Sequence, residues 1–173
     1  MTEKEFINNL ANGQEDIIQQ LIDLLNENEI GYCIIGGLAV NAYVEPVVSL
    51  DLDIVVATNL IDKLCQVAEK LFTIKEFEDS LNFKGSKSDL RIQVQTDPRY
   101  QVFTSKAIFK NVMGYDMKVA AIEDILQGKI WAYSDQKKRK SKRQKDLADI
   151  FRLVEAYPNL EDLFPNSIKS IEM

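Results

Sequence analysis

Asp51 and Asp53 stand one residue apart in LDLDIVVA, a run of apolar, β-branched residues. A run of that kind belongs in a central strand. Alternation along a strand then points both carboxylates to one face. Two like charges at that spacing repel each other, which is costly unless something cationic sits between them. A chain with this segment must therefore build a sheet around it while leaving one face of it open to a cation.

The segments around that strand alternate in character. Ile17, Ile18, Leu21, Ile22, Leu24 and Leu25 have helical spacing, and Gly31 ends the run. YCIIGG (32–37) reads as a short buried strand that breaks at paired glycines, with LAVNAYV as a short helix after them. Thr58 is placed to cap a helix over NLIDKLCQVAEKLF. From about Thr73 to Lys118 the runs shorten and alternate: FTIKEFE, LNFKG, LRIQVQT, SKAIFKNV and YDMKVA read as strands and hairpins. AIEDILQGKIWAYSD and KRQKDLADIFRLVEAY return to helical periodicity, and Pro158 ends the second. The expected fold is α+β (α/β-like): a small mixed β-sheet flanked by helices, with a helical C-terminal part. One domain is expected over residues 1–173, its core about 30–120 and its helical part about 121–173.

Composition narrows the chemistry. The chain has no histidine, which removes Ser-His-Asp and Cys-His catalysis and every His-ligated metal site. A metal would then be a hard cation on carboxylates, magnesium or manganese before zinc. Cys33 and Cys65 are isolated in apolar surroundings and read as reduced core residues. With no apolar run near ~18 residues and no signal peptide in MTEKEFINNL, a cytoplasmic protein without a membrane partner is expected. The net charge of −6 is uneven: KKRKSKRQK (137–145) holds seven of the 21 basic residues and no acid. That segment is either a polyanion contact or a solvated loop and helix start.

Gly36 and Gly37 follow a strand and open a helix, where backbone N–H groups can approach a phosphate closely. Alone, the pair reads equally as a tight strand-to-helix turn, and Asp51-x-Asp53 alone as a polar strand edge. Together, with fourteen positions from Gly37 to Asp51, they form a sharper pattern. CIIGGLAVNAYVEPVVSLDLDIVV resembles the core signature of the polymerase-beta-like nucleotidyltransferase superfamily. ILQGKIWAYSD and KRQKDLADIFRLV resemble the later motifs of the minimal nucleotidyltransferase toxins of abortive-infection toxin–antitoxin systems, through Lys129, Arg143, Lys145, Asp146 and Asp149. The likeness covers roughly residues 30 to 155.

The resemblance implies a metal-dependent transfer of a nucleoside monophosphate from a nucleoside triphosphate to an acceptor hydroxyl on RNA, protein or a small molecule. It implies Asp51 and Asp53 as ligands of Mg2+ (or Mn2+), and Gly36, Gly37, Ser49 and Lys129 as nucleotide contacts. It adds Lys129 and Asp146 to the catalytic set, although an interhelical salt bridge explains that pair as well. Lys137, Lys138, Arg139, Lys140, Lys142 and Arg143 become RNA or phosphate contacts, and a cognate antitoxin becomes a partner.

Two departures matter. The family's third carboxylate, the base for the attacking hydroxyl, falls on DLRIQVQTDP, where its natural position holds Gln93. Glutamine cannot accept that proton. Asp97 has the same parity and is the substitute candidate, while Asp89 falls at the strand's start. The spacer keeps only Ser49 where relatives often carry Arg-x-Thr. The alternative reading is a catalytically impaired nucleotidyltransferase-fold module that binds nucleotide, RNA or a partner protein.

Overall fold

The computed structural model describes residues 1–171. Seven strands form one mixed sheet: β1 (Tyr32–Ile35), β2 (Asp51–Val56), β3 (Thr73–Glu76), β4 (Ser80–Lys84), β5 (Arg91–Gln95), β6 (Ile108–Val112) and β7 (Tyr115–Val119). Their order across the sheet is β3-β4-β5-β2-β1-β7-β6. β2 runs parallel to β5, β1 runs parallel to β7, and the other neighbours are antiparallel. The expected α+β architecture is the one observed.

β2 is central because Leu52, Ile54, Val55 and Val56 are each 0% exposed. Asp51 and Asp53 share a face with Val55, which is covered where the aspartates are only half-buried. One end of that face is thus left open, as the two charges require.

The helices are α1 (Glu3–Leu10), α2 (Ile17–Glu27), α3 (Gly36–Val40), α4 (Ile61–Ala68), α5 (Ile122–Ser134), α6 (Lys140–Ala156) and α7 (Asn166–Lys169). All six apolar residues singled out in α2 are buried, and Asp16 caps that helix by accepting from the Gln19 N–H at 3.1 Å. α5 and α6 pack on each other and on α3, burying Ile125, Leu126 and Ile130 with Ile150, Leu153 and Val154. No helix among the described residues is long and apolar enough to cross a membrane.

Local expectations are corrected in four places. The helix after the glycines begins at Gly36 and ends at Val40, so it includes the glycines rather than following them. Thr58 opens a short 3-10 turn instead of capping α4, and its N–H donates to Gln101 Oε1 at 2.9 Å. A 3-10 segment, Pro98–Lys106, takes the residues that open SKAIFKNV, and β6 starts only at Ile108. Pro98 at its first position and Asp97 as its cap explain that segment. Both cysteines are free; Cys33 is buried, with its thiol pushed up to about 12 by burial, whereas Cys65 is only partly covered. Helix α1 was not anticipated; its Thr2–Glu5 capping box was the available signal.

Candidate functional site

β1 enters the site at Ile35, which lies opposite Asp53 in the β1–β2 ladder. The next residue, Gly36, has φ +74°, a left-handed conformation that disfavours any side chain. A Cβ at Gly36 would collide with the Asp53 carboxylate. The glycine therefore lets the backbone turn against the carboxylate. Gly37 has no such constraint: a Cβ there would lie 3.5 Å from Ser49 Oγ and 3.8 Å from Asp149 Oδ2. Those distances nevertheless bring Gly37, Ser49 and the α6 carboxylate together. Ser49 Oγ stands 3.4 Å from the Asp51 N–H that donates to it. Because α3 is only five residues long, any anion binding here rests on its N–H groups more than on a helix dipole.

The two β2 aspartates differ. Asp51 accepts from Arg91 Nε at 2.6 Å, in a half-exposed pair. The Asp53 carboxylate has no hydrogen-bonding partner among the described residues; burial pushes it up to about 6, Lys129 opposes that, and the charge of Asp51 adds to it. A carboxyl whose folded pKa is raised stabilises the fold below its unfolded pKa and loses that contribution as pH rises toward about 6. The full shift corresponds to at most about 3 kcal/mol, reduced to about 1–2 kcal/mol by residual solvent contact. Without divalent cations, Asp53→Asn is therefore expected to melt a few degrees above wild type at pH 7.5, with the gap closing by pH 4.5. Thermal melts at the two pH values check this, and an Asp53→Asn protein that melts lower at pH 7.5 would show that the carboxylate is structural.

On β5, Gln93 lies opposite Asp53 in the parallel ladder, with Gln95 two residues further on the same face. Asp97 has the right parity but a different occupation. It accepts from the Arg99 N–H at 3.0 Å and pairs with the Arg99 guanidinium at 2.8 Å, which holds it below the usual carboxylate range. Asp89 accepts from Asn12 Nδ2 at 2.8 Å, beside a separate groove.

The C-terminal helices close the site. Lys129 of α5, with an 11% exposed side chain, reaches Asp146 Oδ1 at 3.0 Å and Asp149 Oδ2 at 2.8 Å on α6. Burial works against its charge, but the two aspartates outweigh burial and raise its pKa. Lys138 bends inward from the basic segment to Asp146 Oδ2 at 2.8 Å. Arg152, unremarked in the sequence, pairs with Asp149 at 2.7 Å and also donates to Asn41 Oδ1 (2.9 Å) and the Glu45 carbonyl (2.7 Å). Asn41 in turn holds Val47 through both its backbone groups. The loop leading to Ser49 is thereby latched to α6. The i,i+3 spacing of Asp149 and Arg152 was the one sequence signal for this latch.

Gly36, Asp53, Gln93, Lys129, Lys138 and Asp146 line a cleft of about 100 Å³, with Gln95 and Tyr100. The basic segment spans the α5–α6 loop and the first turns of α6. Lys137, Arg139, Lys140, Lys142 and Lys145 are exposed. Arg143 instead donates to the Tyr133 carbonyl at 2.7 Å and lies 5.2 Å from the centre of that ring.

No family model matches the chain, and no curated protein sequence matches it. Solved structures do. ANT(2'')-Ia in complex with adenylyl-2''-tobramycin is 15% identical, with 91% of this chain and 97% of that chain covered at a TM-score of 0.63. The lincosamide antibiotic adenylyltransferase LnuA, lincomycin-bound, is 14% identical, with 84% and 99% covered at 0.58. An antigenic nucleotidyltransferase-like protein from Paracoccidioides brasiliensis is 19% identical, with 90% of each chain covered at 0.56. At these identities the likeness is one of fold, and the fold is that of the nucleotidyltransferases.

Proposed function

We propose that this chain, built on the nucleotidyltransferase fold, transfers a nucleoside monophosphate from a nucleoside triphosphate to an acceptor, as one nucleotidyltransferase-like domain. The observation that carries this is the Asp53 carboxylate: unpartnered, raised by burial, seated against Gly36 and facing a cleft that also holds Lys129 and Lys138. An unpaired charge of that kind is retained where a ligand supplies the counter-charge. The fold neighbours, the adenylyltransferase LnuA and ANT(2'')-Ia in complex with adenylyl-2''-tobramycin, support the same reading.

The donors at hand are oxygens, Asp51 and Asp53, and no cluster of three metal-binding side chains converges among the described residues. That set fits a hard cation, Mg2+ or Mn2+, that takes its other ligands from phosphate oxygens and water. When bound, such a cation supplies charge neutralisation on the triphosphate. The chain's own groups do the rest. Gly36 and Gly37 offer backbone N–H groups, Ser49 a hydroxyl and Lys129 a fixed ammonium, while Asp146 and Asp149 hold Lys129 in place. Catalysis of this kind is positioning and electrostatic stabilisation rather than covalent chemistry. The exposed lysines and arginine of the basic segment suit RNA as an acceptor. A role as a toxin with a cognate antitoxin, acting in the cytoplasm, rests on the resemblance in the later motifs.

Titration calorimetry with ATP, GTP, CTP and UTP tests the binding step. With magnesium, one of them is expected to bind at least tenfold more tightly than in chelator, about 1.4 kcal/mol, and Asp53→Asn is expected to abolish that difference. Equal affinity with magnesium and with chelator would sink the proposal. Gln93 beside Asp53 favours a second reading, a module that holds the nucleotide without transferring it.

A further inference from the structure

We infer that the acceptor's nucleophile is a phosphate monoester oxygen, which carries no proton at neutral pH, rather than a hydroxyl. The inference rests on the proposed nucleotidyl transfer and concerns what the second substrate must be.

A hydroxyl must lose its proton as it attacks, so a hydroxyl-directed site needs a free base near the reacting phosphorus. The carboxylates that surround this cleft are all otherwise engaged. Asp51 pairs with Arg91 and is, with Asp53, a proposed cation ligand. Asp146 lies between the ammonium groups of Lys129 and Lys138, at 3.0 and 2.8 Å. Asp149 is shared by Lys129 and Arg152. Asp97 is bound to Arg99 outside the cleft lining, and Asp89 is beside another groove. The position across the ladder from Asp53 holds Gln93, a neutral amide with no proton-accepting capacity.

What the cleft offers instead is donors. Gln95 Oε1 already accepts from the Asp97 N–H at 3.1 Å, which leaves its NH2 group free to donate. Gln93 makes no side-chain hydrogen bond among the described residues and presents another amide. The Lys138 ammonium spends one donor on Asp146, and its side chain remains 31% exposed. Two amide NH2 groups and a lysine beside the reaction centre are matched to an anionic oxygen. A carboxylate at position 93 would repel it.

The step then balances without proton transfer. An oxygen of the acceptor phosphate forms a bond to the α-phosphorus of the triphosphate. The bond from that phosphorus to the bridging β-oxygen breaks, and its electron pair leaves on pyrophosphate. The product joins the nucleoside monophosphate to the acceptor through a phosphoanhydride. A phosphate monoester has its second pKa near ~6, so it is dianionic at pH 7.5.

The full chain is incubated with magnesium and each α-32P-labelled triphosphate that binds by calorimetry. Three probes serve as acceptors: a 5′-phosphorylated RNA oligonucleotide blocked at its 3′ end, a 5′-hydroxyl oligonucleotide with a free 3′ end, and glucose 1-phosphate. Label is expected on a phosphate-bearing probe at least tenfold faster than on the hydroxyl probe. A nucleotide pyrophosphatase should release it, and the rate should be flat from pH 7 to 9. Label on the RNA alone assigns a 5′ end guided by the basic segment, and label on glucose 1-phosphate alone assigns a sugar phosphate. Gln93→Asp should lower that rate and raise transfer to the hydroxyl probe by roughly 10²-fold. Pyrophosphatase-resistant label on the hydroxyl probe from wild type would overturn the inference, as would bound triphosphate with no transfer to any probe. Absence of triphosphate binding in calorimetry would overturn the underlying function as well, and is read before any acceptor is added.

Discussion

Lys129→Met is expected to destabilise the protein by about 3 kcal/mol, lowering its melting temperature by about 10 °C. Lys129 is the cation common to Asp146 and Asp149, and its side chain is buried to a similar degree. Breaking a buried pair from one side leaves an uncompensated charge, which typically costs ~3–5 kcal/mol. The low end applies because Lys138 still serves Asp146 and Arg152 still serves Asp149. A folded pKa raised in a lysine means that its contribution is present below the unfolded value and lost only as pH rises through the folded one. Lys129 itself stays charged from pH 6 to 9, so the penalty in the single variant should grow over that range only as Asp53, which Lys129 helps to ionise, loses its proton. A melting temperature within 1 °C of wild type would show that the lysine is spare in the fold and kept for its ligand alone.

Gly36→Ala should cost about 2–4 kcal/mol and, with it, the magnesium-dependent affinity for triphosphate. Two separate effects add. A left-handed φ costs a side-chain-bearing residue ~1–2 kcal/mol, and the new methyl group would overlap the Asp53 carboxylate. Relief requires Asp53 to swing away, so the damage falls on the proposed cation site. Gly37→Ala is the internal comparison. Its Cβ would meet Ser49 and Asp149 only at ordinary contact distances of 3.5 and 3.8 Å, and alanine favours the helix. It should melt within about 1 kcal/mol of wild type and bind triphosphate normally. Equal melting of the two variants would mean that the glycine corner is not what shapes the site.

Several of the site's parts were legible in the chain because they depend on local geometry. Period-two alternation places Asp51 and Asp53 on one face of β2 whatever surrounds the strand. The i,i+3 spacing does the same for Asp146 and Asp149 on α6. Gly-Gly after an apolar strand marks a sharp turn, although which glycine needs the left-handed conformation is decided by where Asp53 lies across the ladder.

The reach of long side chains was not legible. Lys138 and Arg139 are neighbours in one basic run, yet Lys138 turns inward to Asp146 while Arg139 stays exposed. Arg143 is spent on Tyr133, and Arg152 ties a loop more than a hundred residues away. Charge counting treats these residues alike. Only the packing of α5 on α6 and on the Asn41 loop distinguishes them, because a buried carboxylate selects whichever cation the backbone brings within reach.

The sequence by itself determined the strand that carries two aspartates, the glycines before it and the absence of histidine chemistry, since composition and short-range periodicity are properties of the chain. Tertiary structure decided what stands opposite them. Gln93 faces Asp53 because β5 pairs with β2 in one register, and Asp97 is drawn away to cap a 3-10 segment and bind Arg99. Strand register is set by matching buried faces across some forty residues of intervening chain, and no local pattern in either strand encodes it.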